Sequence, residues 1–110
     1  MNMNMNNMNE IFKKAQKIQK EMMDQQEKLA EQELKGSSGG DMVNVIINGK
    51  FEVQRITLDE TVFKSQDKEM VEDLIVSAVN DAIKKVQAAS QKGYGDLMGK
   101  AGLPPNFLGS

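Results

Sequence analysis

The sequence predicts an α+β fold with a long N-terminal helix, a three-stranded antiparallel meander and a long C-terminal helix. Three observations carry that expectation. Apolar residues recur in steps of three and four from Met8 to about Leu34, and again from Asp67 to about Gln91. Between them lies the β-rich run Val43-Asn44-Val45-Ile46-Ile47, then Asn48-Gly49, then a second extended run from Lys50 to Leu58. Strands and helices do not alternate in the order a parallel sheet requires.

In the first helix Met8, Ile11, Ala15, Ile18, Met22 and Leu29 form a heptad-like seam, which Phe12 and Met23 widen at its edges. Gln25 and Gln32 fill the remaining seam positions, where they either set register or mark the point at which the helix leaves its partner. Asn7 or Asn9 suits the N-cap, and Gly36 supplies a stop. Gly36 to Gly40 reads as a flexible connector, preceded by a short strand around Glu33 to Lys35. Asn48-Gly49 is a hairpin signal because both residues tolerate positive φ. A two-residue loop would set Val45 opposite Glu52. The expected register instead uses a three-residue loop ending at Gly49, with Val45 opposite Phe51 and Val43 opposite Val53, which keeps one apolar face. Ile56 and Leu58 then fall on the other parity, so a bulge is expected near Gln54–Arg55. Asp59-Glu60 reads as a turn. Asp67 is the expected N-cap of the second helix, whose apolar face is Val71, Leu74, Ile75, Ala78, Val79, Ala82, Val86 and Ala89.

A single domain over residues 8–92 follows. Residues 1–7 alternate Met and Asn without an apolar face and are expected to be a disordered leader; the methionines there suggest a fraying end rather than a soft-metal tract. Residues 93–110, rich in Gly and Pro, are expected to be a flexible tail. The remaining roughly 85 residues would bury only about 60% of their unfolded surface, so a partner subunit is expected to supply the rest.

Composition removes most catalytic chemistry. The chain has neither Cys nor His, which takes away disulfides, thiolate sites, the usual general base and the commonest metal ligand. Gly36 to Gly40 lacks the Lys-Ser/Thr ending of a phosphate loop, and no spacing implies carboxylates converging in a cleft. No enzyme, cofactor, metal or small-molecule substrate is expected. Nothing resembles a signal peptide or a bilayer-spanning stretch, so a cytoplasmic address with no membrane partner is expected.

The net charge is −2 with a pI near 5.2, which argues against a protein that coats nucleic acid by bulk positive charge. Placement matters more than the total. At 100° per residue, Lys13, Lys17 and Lys20 lie about 180° to 240° from the apolar seam, with Lys14 on the flank of their row. Asp24, Glu27 and Glu31 take over the same face farther along, so the helix is basic in its first half and acidic toward its end. A charge row is also what the solvated face of any amphipathic helix presents. As a binding surface, its steps of three and four residues span about 5–6 Å, comparable with phosphate separation. Lys84, Lys85 and Lys92 form a smaller set on the second helix, and Arg55 is expected in a cross-strand salt bridge.

Val43-Asn44-Val45-Ile46-Ile47-Asn48-Gly49, Ile56-Thr57-Leu58-Asp59 and the run from Asp67 to Ala82 closely resemble the YbaB/EbfC family of bacterial nucleoid-associated proteins. The Lys- and Gln-rich first helix and the tail Leu103-Pro104-Pro105-Asn106-Phe107 fit as well, so the resemblance covers nearly the whole chain from Met8. It implies a homodimer whose projecting helices grip duplex DNA like tweezers, in the nucleoid. It also implies DNA contacts at Lys13, Lys14, Lys17 and Lys20, and at Lys84, Lys85 and Lys92. Both helices lack arginine, the better bidentate reader of guanine, so backbone-dominated binding is expected. The alternative is an interaction module that recruits a partner helix to the seam without binding DNA directly.

Overall fold

The computed structural model describes residues 5–100. In chain order these form α1 (Met5–Glu31), β1 (Glu33–Ser38), β2 (Val43–Asn48), β3 (Val53–Leu58), α2 (Glu60–Phe63) and α3 (Lys68–Lys100). The strands make one antiparallel sheet in the order β1-β2-β3, as a meander requires. Principal extents of 74 × 24 × 16 Å describe a long, thin molecule.

α1 is displaced from its expected bounds, ending at Glu31 rather than near Leu34, and α3 outruns its expected end. α1 begins at Met5, inside the segment expected to be a disordered leader, and residues 1–4 lie outside the described residues. α3 continues past Gln91 to Lys100, through Gly93, Gly95 and Gly99, so the expected tail keeps only residues 101–110, which lie outside the described residues. The physical reason is at Gly93. A Cβ there would strike the Gln25 side-chain amide of α1, so this glycine admits a close helix–helix approach instead of ending the helix. Asp67 caps α3 as expected, its carboxylate accepting the Met70 N–H at 3.1 Å.

Gly36 and Gly49 work the same way. Gly36 was expected in a flexible connector, but it is a buried residue of β1, which runs on to Ser38. Its missing Cβ makes room for the Ala78 and Ala82 backbone of α3. Only residues 39–42 remain as the turn into β2, with Gly39, Gly40 and Asp41 at positive φ. Gly49 does not need positive φ; it leaves space for the Leu29 carbonyl of α1.

The β2–β3 register corrects the expected one. Val43 faces Leu58, Val45 faces Ile56 and Ile47 faces Val53, so Phe51 and Val53 are not the partners of Val45 and Val43. The loop is wider because Asn48 organises it. Its side-chain oxygen accepts the Lys50 and Glu52 N–H groups at 2.9 and 3.1 Å, its backbone N–H donates to the Glu52 carbonyl, and Phe51 takes the positive φ. The pairing shifts between Ile46 and Ile47, leaving Gln54 unpaired, where the bulge was expected. That shift puts Val53, Ile56 and Leu58 on the same face as Val43, Val45 and Ile47.

α3 lies on β1 and β2. Val43, Val45, Ile47, Val62, Ala78, Ala82 and Val86 form the buried core. Val62 comes from α2, which replaces the expected turn and is capped by Asp59 accepting the Thr61 N–H. Along the β1 edge the Asp81 carboxylate accepts the Ser37 N–H at 2.9 Å, and the Ser38 hydroxyl donates to the Leu74 carbonyl at 2.6 Å.

The Ser37 N–H, and then the Lys85 ammonium, hold the Asp81 carboxyl below the usual carboxylate range. A group whose folded pKa is depressed stabilises the fold above its unfolded pKa. That contribution is lost as pH falls below about 4 and through the folded value. Asp81→Asn is therefore expected to lower Tm at neutral pH and to flatten its acid dependence relative to the parent, read by thermal melts from pH 7 to 3. Parallel curves would contradict this assignment.

Candidate nucleic-acid interface

The site is built on the free half of α1. Gln25 packs on Gly93, Gln26 Nε2 donates to the Tyr94 hydroxyl at 2.8 Å, and Leu29 meets the loop at Gly49. α1 and the end of α3 therefore run antiparallel, with α1 leaving the sheet at its C-terminal end. At 1.5 Å per residue, α1 is about 40 Å long. If residues 25 and 93 are level, Lys100 of α3 reaches only about Ile18. Ile18 and Met22 are half-buried, whereas Met8, Ile11 and Phe12 are 56%, 57% and 64% exposed. The part of the seam expected to recruit a partner helix is thus occupied by the chain's own α3 from Ile18 onward. Gln25 sits against that helix, and Gln32 follows the end of α1, its N–H donating to the Leu29 carbonyl.

Lys13, Lys14, Lys17 and Lys20 are all exposed, and none forms an ion pair among the described residues. They project from the half of α1 that stands clear of the sheet, so little protein surrounds their charge. Lys84, Lys85 and Lys92 are also exposed, but the structure does not gather all seven lysines in one place. Lys92 adjoins Gly93 and so lies about 9 Å along the axis from Lys20. Lys84 and Lys85 sit over the sheet, and Lys13 and Lys84 are separated by about 30 Å along the long axis. Lys85 is engaged by Asp81 at 3.3 Å. Arg55 does not form the expected salt bridge among the described residues, because the residue opposite it is Ile46, not a carboxylate.

A second surface escaped the sequence reading. α3 covers β1 and β2, so the inner face of β3 is left open, with Val53 43% and Ile56 44% exposed. Asp81 and Leu74 mark the flank of α3 toward β1; Val76, 59% exposed, lies roughly 140° to 160° round the helix, on the flank away from β1. Detecting this surface required the true hairpin register.

Among the described residues no cluster of His, Cys, Asp or Glu suits a metal ion, and no helix is long and apolar enough to cross a membrane. What the geometry defines is an arm-bearing α+β protein with a cationic row on the arm and an open apolar face beside its sheet. The chain matches the family model described as the YbaB/EbfC DNA-binding family over residues 4–101, and it belongs to that family. It is 44% identical to a nucleoid-associated protein of Rickettsia akari over 101 residues, covering 92% of this chain and 94% of that one. Against a nucleoid-associated protein of Hahella chejuensis the identity is 39%, covering 92% and 93% of the two chains. An uncharacterized Helicobacter pylori protein has a similar crystal structure, at TM-score 0.63 and 26% identity over 83% of this chain and 92% of that one. The family is one of DNA-binding proteins, not an enzyme family.

Proposed function

We propose that the protein is a homodimeric nucleoid-associated protein that binds double-stranded DNA mainly through lysine–phosphate contacts from its projecting helices. The observation that carries this reading is the row of exposed lysines on α1, none of them in an ion pair among the described residues. Lys13, Lys14, Lys17 and Lys20 supply the main contacts; Lys92 and Lys84 extend the footprint, and Lys85 adds less because Asp81 shares its charge. The relatives' nucleoid association supports the same location for this chain, where DNA binding would give it a part in gene regulation. Binding through phosphates carries little base specificity. Titrating a short labelled duplex at 50 mM salt tests the reading; saturable binding is expected, and no binding at that salt would overturn it.

The open face of β3 supports dimerisation. Two copies that bring Val53, Ile56 and Val76 together cover apolar surface that one chain leaves in water, and they double the number of lysine arms. Ile56→Asp places a charge in that interface while leaving the monomer's buried core intact. The variant is expected to elute as a folded monomer by size-exclusion with light scattering. Val76→Asp, on the other wall, gives an independent check. A parent that is monomeric at micromolar concentration, or two variants that both stay dimeric, would contradict this interface.

A further inference from the structure

We infer that the apolar stripe at the free end of α1 is an assembly surface, covered by the same stripe of a second copy. Met8, Ile11 and Ala15 continue the seam that α3 covers from Ile18 onward, but they lie beyond the end of α3 and are exposed. The stripe is therefore the continuation of a packed helix–helix interface, with no partner helix among the described residues for its last turns. The lysine row decides which way it faces. Lys13, Lys17 and Lys20 lie on the opposite side of the helix, roughly 160° to 220° from the centre of the stripe. An arm whose lysines rest on phosphates turns Ile11 away from that duplex and toward whatever lies beyond it.

A second arm suits the stripe because the surface is self-complementary. In an antiparallel pair centred near residue 13, Ile11 of each helix meets the small Ala15 of the other, and Met8 lies at the edge of the pair, where α3 begins to cover Ile18. Glu10 and Lys14 share a flank, so the same arrangement brings each glutamate beside the other helix's lysine. Three or four residues per arm bury far less than the roughly 1,200 Å² of a stable complex, so free arms associate weakly. On DNA, where neighbouring molecules are held close, the contact becomes effective. Arms paired in this way join molecules bound to different duplexes or to adjacent sites.

The inference rests on the DNA-binding reading, and the experiment separates the two. Ile11→Asp is compared with Gln16→Asp, which adds the same charge to the same exposed helix but off the stripe. Both variants are expected to keep the parent's dimer mass by light scattering and to lose the same few-fold affinity for an isolated short duplex. Only Ile11→Asp is expected to lose capture of a labelled duplex by bead-bound DNA, by tenfold or more. Equal capture by the two variants, or parent capture no better than Ile11→Asp, overturns the assembly surface while leaving DNA binding intact. If the parent fails to bind any duplex, the functional reading falls instead. Sedimentation at high protein concentration then decides the surface, since the parent must associate beyond its dimer and Ile11→Asp must not.

Discussion

Gly36→Val is expected to remove the folded protein rather than weaken it. The Cβ of any residue at 36 would fall on backbone atoms of α3, within 2.6 Å of the Ala82 Cα and closer still to the Ala82 nitrogen and Ala78 carbonyl oxygen. Backbone cannot rotate aside as a side-chain end can, so α3 must lift from the sheet. Lifting it exposes Val43, Val45, Ala78 and Ala82 and disturbs the Asp81–Ser37 and Ser38–Leu74 hydrogen bonds on the same edge. Overpacking of this kind costs about 3 kcal/mol or more, a large fraction of the roughly 5–15 kcal/mol that holds a domain together. A fall in Tm of about 15 °C, or insoluble expression, is the expected outcome. Gly40→Ala is the control for mutating this stretch, since its Cβ position is open and only the positive φ opposes it, at about 1 kcal/mol. A Gly36→Val protein that melts like the parent would mean that α3 does not sit on β1 this closely.

The largest effect on binding is expected from Lys13/Lys17/Lys20→Glu. Each helix surface changes by six charge units, from three cations to three anions, with no buried contact disturbed because all three side chains are exposed. In a dimer with four phosphate contacts per arm, reversal removes six of eight and adds repulsion against a backbone carrying one charge per about 1.7 Å. Affinity for a short duplex at 50 mM salt is expected to drop by about 1,000-fold or more, while the circular-dichroism melt stays within a few degrees. Retained binding by the folded variant would move the DNA site away from α1.

The elements that the sequence disclosed are those with one strong local period. The long helices, the meander, the Asp67 cap and the bulge near Gln54 each follow from side chains a few residues apart. The glycines depart from their sequence expectation because their reason is non-local. Gly36, Gly49 and Gly93 each lie against a segment distant in sequence, and a one-dimensional reading sees only a weak local former. The hairpin register depended on Asn48 using its side chain to close a wider loop, which pattern matching for Asn-Gly does not reveal. The lysine row on α1 was legible because helical geometry alone sets its direction. Its lack of ion pairs among the described residues was not, since that depends on how the side chains of Glu10, Glu21 and Asp24 lie in space. The open face of β3 could not be foreseen with the register wrong.

The most direct measurement is duplex affinity as a function of salt. Eight lysine–phosphate contacts in the dimer predict a slope of log K against log[salt] near −7, so that binding weakens about 10,000-fold between 50 and 200 mM. A slope near zero would mean that the lysines of α1 do not hold the phosphates, and the account of this arm would be wrong.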